Sequence, residues 1–305
     1  MLGFGCSADK SGQGFSWPTS ELPVVSPSTG GVGAGISMLS TKTVALSDTT
    51  GLPGNIAFDG TRLLWMNSLS VTNCFPSSQA TFQYLALDFT PQTTSTSTYV
   101  GLPSGGDCNG RDYPTFPFAA GQSGIFWPTT GTSGKISIRD NSSGTVLSTT
   151  SIDVANYGCT FNDARLGKGP LITYCGGLYY GACTSGSYLR FFAFNSSGTL
   201  QSAVTTSLNE SSYNVLNALT CYAGNSLLLV TNSSSSNAYN GFYKFDFSFN
   251  LVATDTTTSY QFSNGLQQIV GIATDGTNLY LQGAVNTNVN PVTVTLGKAT
   301  LGTLK

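Results

Sequence analysis

Short runs of β-branched and aromatic residues recur along the chain, separated by clusters of Gly, Asn, Asp and Ser. No long segment keeps the 3.6-residue period of an amphipathic helix. Glu, a good helix former, occurs only as Glu21 and Glu210. The pattern predicts strands throughout. An apolar run, a Gly-containing turn and a second apolar run occur five times, at 55–65, 117–127, 171–180, 218–230 and 271–281. Each is followed by a loop and an alternating strand, at 82–88, 135–140, 188–195, 242–249 and 292–296. Two of the turns that come next are nearly identical, Asp140-Asn-Ser-Ser-Gly-Thr-Val-Leu147 and Phe194-Asn-Ser-Ser-Gly-Thr-Leu200. Asn-Ser-Ser-Gly supplies residues that accept the positive φ of a tight hairpin.

The unit is therefore four strands, ending in an outer Ser/Thr-rich strand such as 146–152 or 203–208. One such sheet has two apolar faces and cannot bury both alone. Five of them set radially cover one another, which predicts an all-β, five-bladed β-propeller of four-stranded blades. A β-sandwich or β-solenoid is the alternative. The segment 36–48, with the alternating core Thr43-Val44-Ala45-Leu46, has no unit of its own, and the fifth unit lacks an outer strand. The N-terminal strand is thus expected to join the last blade, closing the ring and sparing an exposed edge. Residues 1–35, rich in Gly, Ser and Pro, read as a tether or docking arm ahead of a propeller domain at 36–305.

Ile272-Ala-Thr-Asp-Gly-Thr-Asn-Leu-Tyr280 and Ile56-Ala-Phe-Asp-Gly-Thr-Arg-Leu-Leu64 resemble the strand–turn–strand repeat of bacterial surface propellers of the NHL/YVTN kind. The resemblance implies the fold and a secreted or surface setting. It implies no single function, because propellers host many.

Composition narrows the chemistry. The chain has 305 residues, with 9 % charged and a net charge of −2. Its 12 Lys and Arg are scattered, so no basic stripe offers itself to nucleic acid. Histidine is absent, which removes a Ser-His-Asp triad and His-ligated zinc or haem. No apolar run is long enough to span a bilayer. Seven cysteines occur without a CxxC pair. Six of them, Cys74, Cys108, Cys159, Cys175, Cys183 and Cys221, suit disulfides in an extracytoplasmic protein; buried free thiols are the competing reading. A bond between Cys74 and Cys108 would pin two loops. Cys6, in Leu2-Gly3-Phe4-Gly5-Cys6-Ser7, resembles the end of a bacterial lipoprotein signal, where the cysteine becomes the lipidated first residue. An apolar stretch does not precede it, so a free cysteine in an N-terminal arm competes with lipidation.

Loops between blades, and between the second and third strands of a blade, emerge together on one propeller face and are the long ones here. They carry the candidate ligand-binding residues Arg111, Asp112, Tyr113, Phe161, Asp163, Arg165 and Tyr239. Trp65, Trp127 and Tyr180 end second strands. They read either as an aromatic shelf for sugar rings or as core between blades. Asp107, Asn109 and Asp112 present oxygens at alternating positions, a faint calcium-loop pattern without the EF-hand spacing or its Glu; an Asx turn explains them as well. No metal or other cofactor is expected. A glycosidase needs two carboxyls facing across a pocket, and neither Glu21 nor Glu210 follows an inner strand. The leading expectation is a non-catalytic, adhesin- or lectin-like surface protein that recognises a glycan or an envelope partner. A structural or receptor-binding part of an extracellular assembly or virion, docking through residues 1–35, comes second, and a glycoside hydrolase third.

Overall fold

The computed structural model describes residues 35–45, 55–70, 78–99, 115–119, 121–130, 133–154, 159, 171–185, 188–206, 215–232, 240–260, 266, 268–284 and 291–304. These form five antiparallel four-stranded sheets. Blade 1 is β2 (Ile56–Phe58), β3 (Leu63–Ser70), β4 (Ser78–Leu85) and β5 (Pro91–Tyr99). Blade 2 is β6 (Thr115–Ala119), β7 (Gln122–Thr130), β8 (Ser133–Asp140) and β9 (Val146–Asp153). Blade 3 is β10 (Leu171–Cys175), β11 (Leu178–Ser185), β12 (Tyr188–Phe194) and β13 (Leu200–Thr206). Blade 4 is β14 (Val215–Tyr222), β15 (Ser226–Asn232), β16 (Asn240–Phe245) and β17 (Leu251–Tyr260). Blade 5 is β18 (Ile269–Thr274), β19 (Asn278–Gly283), β20 (Thr293–Thr300) and the N-terminal strand β1 (Met38–Ala45).

The innermost strands adjoin in the cycle β2, β6, β10, β14, β18 and back to β2. The fold is thus the five-bladed propeller that the repeat predicts, closed as expected. β1 lies antiparallel to β20, from Met38 opposite Ala299 to Ala45 opposite Thr293. Burial follows radius. β18 is almost wholly buried and β1 and β9 are mostly exposed, because inner strands are covered on both faces and outer strands meet water.

The apolar residues of each blade meet those of its neighbours. Trp65, Phe89, Tyr280 and Leu296 share the core between blades 5 and 1. Phe126, Ile136, Tyr179 and Phe192 fill the seam between blades 2 and 3. Phe191, Leu229, Tyr243 and Phe249 fill that between blades 3 and 4, and Leu228, Val230, Leu281 and Leu301 that between blades 4 and 5. The seam between blades 1 and 2 includes a polar relay: the Ser123 hydroxyl donates to Asn141 Oδ1 at 2.6 Å, and Asn141 Nδ2 donates to the Tyr84 hydroxyl at 2.6 Å.

Each blade's far end reaches back to the preceding blade. Lys42 Nζ on β1 donates to the Phe89 carbonyl at 3.1 Å, and the Phe89 ring meets Tyr280 edge-on. Asn141 reaches Tyr84. The Ser196 carbonyl accepts from Thr150 Oγ1 at 2.8 Å, and beside it Gly198, at φ 83°, lies so close to the Ser151 carbonyl that a Cβ would collide. Phe249 stacks on Phe191 with centroids 5.1 Å apart. In blade 5 a short 3-10 turn, Gly302–Leu304, takes the place of a hairpin, and the Leu304 carbonyl accepts from Lys244 Nζ at 3.1 Å.

Two strands end earlier than the pattern predicts. β4 stops at Leu85 rather than 88, and β16 at Phe245 rather than 249. The turns that follow, opened by Ala86 in blade 1 and by Asp246 in blade 4, have their left-handed position held by phenylalanine, Phe89 at φ 64° and Phe249 at φ 65°, where blade 3 uses Gly198. The backbone there costs about 1 kcal/mol or more, and burying the ring in the seam offsets it. Phe249→Ala is expected to destabilise the protein by about 3–5 kcal/mol through lost packing. Phe249→Gly is expected to be no worse, because it removes the left-handed strain; paired chemical denaturation curves check this.

Candidate functional site

All five inner strands run the same way, so the blade-to-blade connections and the loops between second and third strands share one end of the propeller, the connection face. The tight turns share the opposite, hairpin face. Residue 35 joins the fold on the hairpin face, where the Ser37 carbonyl accepts from the Thr300 N–H at 2.8 Å, beside the closing turn at 302–304.

Arg111, Asp112 and Tyr113, with Asp107 and Asn109, belong to 100–114, which joins β5 to β6. Phe161, Asp163 and Arg165 belong to 160–170, which leads into β10, and Tyr239 to 233–239, between β15 and β16. All of these lie outside the described residues, as do Cys6, Cys74 and Cys108. Trp127 pairs with Lys135 along the backbone, towards the connection-face end of blade 2.

Two shelf candidates are placed elsewhere. Tyr180 is 3 % exposed and lies stacked on Phe247 of blade 4 with centroids 4.9 Å apart. Trp65 is 0 % exposed, in the core between blades 5 and 1. Second strands are covered on both sides by neighbouring blades, so their aromatics fill seams rather than face solvent. The aromatic the sequence reading passed over is Tyr188, 52 % exposed at the start of β12. Its signal was available: a strand predicted to begin at 188 puts that residue at a loop on the connection face.

Polar side chains are also set into this end of the inner two strands. Thr115, the first residue of β6, is buried, as are Thr231 near the end of β15 and Gln282 near the end of β19. Asn55, just before β2, is buried too, and its Oδ1 accepts from the backbone N–H of Ile56 at 2.8 Å and of Ile272 at 3.1 Å, tying blade 1 to blade 5. Further out, between blades 2 and 3, an open groove of ≈ 470 Å³ is lined by residues that include Lys135, Asp153 and Phe194.

Among the described residues, turn carboxylates gather on the other face. Asp59, Asp88, Asp140, Asp246 and Asp275 each open or occupy a hairpin-face turn and accept backbone N–H bonds there. The Asp140 carboxyl takes bonds from the Ser142 hydroxyl and from the N–H and hydroxyl of Ser143, which draw it down from 3.8 to about 2. Burial pushes Asp275 up, but the Tyr280 hydroxyl at 2.7 Å and the Asn278 and Thr277 N–H groups outweigh it and hold it below its ordinary range. Burial, and then that same carboxylate, push the Tyr280 phenol up. Of the described cations, Arg62 pairs with Asp59 at 3.2 Å and lies over the Tyr84 ring, and Lys244 lies over Tyr222.

Two disulfides stand among the described residues. Cys159, in the connection between blades 2 and 3, joins Cys183 on β11. Cys175 joins Cys221, tying the ends of the inner strands of blades 3 and 4. Such bonds belong to an oxidising, extracytoplasmic setting. Among the described residues no helix is long and apolar enough to cross a membrane, and no group of three or more His, Cys, Asp or Glu could hold a metal ion.

The architecture defines a class, the five-bladed propeller, and comparison with solved structures agrees. The chain is similar to the GH43_1 enzyme from Xanthomonas citri, solved with xylose, at 11 % identity over 85 % of this chain and 89 % of that one, with a TM-score of 0.50. It is similar also to the α-L-arabinofuranosidase PaAbf62A from Podospora anserina, at 9 % identity over 88 % and 97 % of the two chains, with a TM-score of 0.49. At these identities the likeness shows the fold alone. No family model and no curated protein sequence matches the chain.

A carboxyl held low stabilises the fold above its unfolded pKa, and that contribution fades as pH falls towards the folded value. For Asp140 the window runs from 3.8 down to about 2. Asp140→Asn keeps an acceptor, as Asn195 does in blade 3, but cannot titrate. The variant is expected to lose less stability than the parent between these limits, measured as denaturation midpoints across that pH range.

Proposed function

We propose that this is a non-catalytic, extracytoplasmic binding protein, held through its N-terminal arm, whose connection face recognises a neutral glycan. The observation that carries the reading is the division between the two ends. The described turn carboxylates and the entry of the arm at residue 35 lie on the hairpin face. Among the described residues, the connection face offers buried hydroxyls and carboxamides and the exposed ring of Tyr188. Sugars present hydroxyls and apolar ring faces with little charge, so aromatic faces and neutral hydrogen-bonding groups suit them. An arm that enters opposite the loops would hold the chain to a surface, through Cys6 if that residue is lipidated, with the recognition face outward.

An assembly component is the second reading. It is favoured by the same arm, which leads directly into β1, an outer strand whose far edge is unpaired among the described residues. A glycoside hydrolase ranks third. Its chemistry needs paired carboxyls at the channel mouth, and the five turn carboxylates named above are at the other end.

A glycan array probed with the full chain tests the proposal. Binding to a neutral oligosaccharide is expected, weakened roughly tenfold by Tyr188→Ala or Tyr113→Ala, the loss of about 1.4 kcal/mol of ring stacking. Thermal melting of both variants is expected to match the parent. Binding to no glycan would overturn the reading in favour of the assembly component.

A further inference from the structure

The seam that closes the ring contains hydrogen-bonding groups that the protein itself leaves unmet. Gln282 is 0 % exposed, and neither its Oε1 nor its Nε2 has a hydrogen-bond partner. Trp65 is also 0 % exposed, and its indole Nε1 is likewise unpartnered. The two residues look into the same seam. Trp65 and Tyr280 pack in one cluster between blades 5 and 1, and Gln282 stands two residues beyond Tyr280 on the same side of β19. Asn55 borders this space from blade 1.

The geometry brings two oxygens together. Gln282 pairs with Gly271 across an irregularity in the ladder between β18 and β19. A Cβ on Gly271 would stand 2.5 Å from Asn55 Oδ1 and 3.2 Å from Gln282 Oε1. The two oxygens are therefore no more than about 6 Å apart, a gap that one water molecule bridges. A buried amide left unbonded costs about 1–3 kcal/mol, and buried polar groups in folded proteins nearly always find a partner.

We propose that Asn55, Trp65 and Gln282 form a binding site for one or two internal water molecules at the ring closure. The chemistry selects this ligand. The Trp65 N–H and the Gln282 amide N–H donate into the space, while Gln282 Oε1 and Asn55 Oδ1 accept from it. A ligand must then accept and donate at once, carry no charge and be small. A cation would meet the indole donor, an anion would meet the two oxygens, and an apolar guest would leave the Trp65 N–H and both Gln282 amide atoms unmet. Water satisfies both requirements and makes about three such bonds when buried. The site lies between the last blade and the first, so that seam is bridged by solvent as well as by Asn55.

The test is a high-resolution crystal structure of the full chain together with solution NMR. Ordered density within about 2.7–3.2 Å of Gln282 or Trp65 Nε1 is expected, along with a cross-peak between the Trp65 indole N–H and long-lived water. Gln282→Met, which fills the space without polar atoms, is expected to lose the density and the cross-peak while the ring stays closed. Trp65→Phe serves the same purpose for the density if Gln282→Met does not fold. Direct bonding of the Gln282 amide and the Trp65 N–H to protein atoms, with no density between them, would overturn the proposal, as would density that persists unchanged in the variants.

Discussion

A sheet of four short strands has two apolar faces and no means of covering either. The rest of the structure follows from that. Each blade needs a neighbour on both sides, and a ring is the arrangement that gives one to every blade. The last blade poses the problem sharply, since β18, β19 and β20 make a sheet with an open edge. β1 supplies the fourth strand from the other end of the chain. Its own burial is slight, with most of its residues exposed. Its contribution is the ladder to β20, with Lys42 reaching the Phe89 carbonyl of blade 1 and so linking the closing strand to the next blade.

The seams solve one problem with different chemistry. Phenylalanine in a strained turn serves blades 1 and 4, a carboxamide relay serves blade 2, a hydroxyl–carbonyl bond beside Gly198 serves blade 3, and a lysine bond to the 3-10 turn serves blade 5. The Cys175–Cys221 bond reinforces a seam that is already aromatic. What is shared is direction: each latch reaches back to the preceding blade. This is consistent with a repeat whose units vary in sequence while keeping one shape, since any contact that fills the wedge is acceptable.

Much of the fold was legible because periodicity reports burial on two faces. The inner runs, the Asn-Ser-Ser-Gly turns and the leftover N-terminal strand together imply five blades and their closure. Strand ends in blades 1 and 4 were not legible. Phe89, Phe247 and Phe249 carry strand propensity, and only the seam explains why a bulky ring sits at a left-handed position. Tyr180 and Trp65 show the same limit. A large aromatic in a second strand has one sequence signature whether it faces a sugar or a neighbouring blade, and these two do not end their strands as expected, since β3 runs on to Ser70 and β11 to Ser185. Cysteine pairing was beyond reach, because Cys159 meets Cys183, and Cys175 meets Cys221, only once three blades are placed. Gln282 reads as an ordinary polar strand residue, and only its burial once the blades are assembled sets it apart.

The division between the faces matters more for function than the fold itself, since a propeller takes many ligands on similar backbones. Five of the described carboxylates do turn chemistry: Asp140 and Asp246, for example, accept N–H groups that a tight turn would otherwise leave unbonded. Placing them there removes them from the end where the long connections gather. Among the described residues, that end carries Asn55, Thr115, Thr231, Gln282 and the exposed ring of Tyr188, with Lys135 and Asp153 further out. Such a surface has little long-range attraction for charged partners and gains affinity only through close, shape-fitted contact. Recognition of a neutral glycan, as proposed above, would rest on contact of that kind.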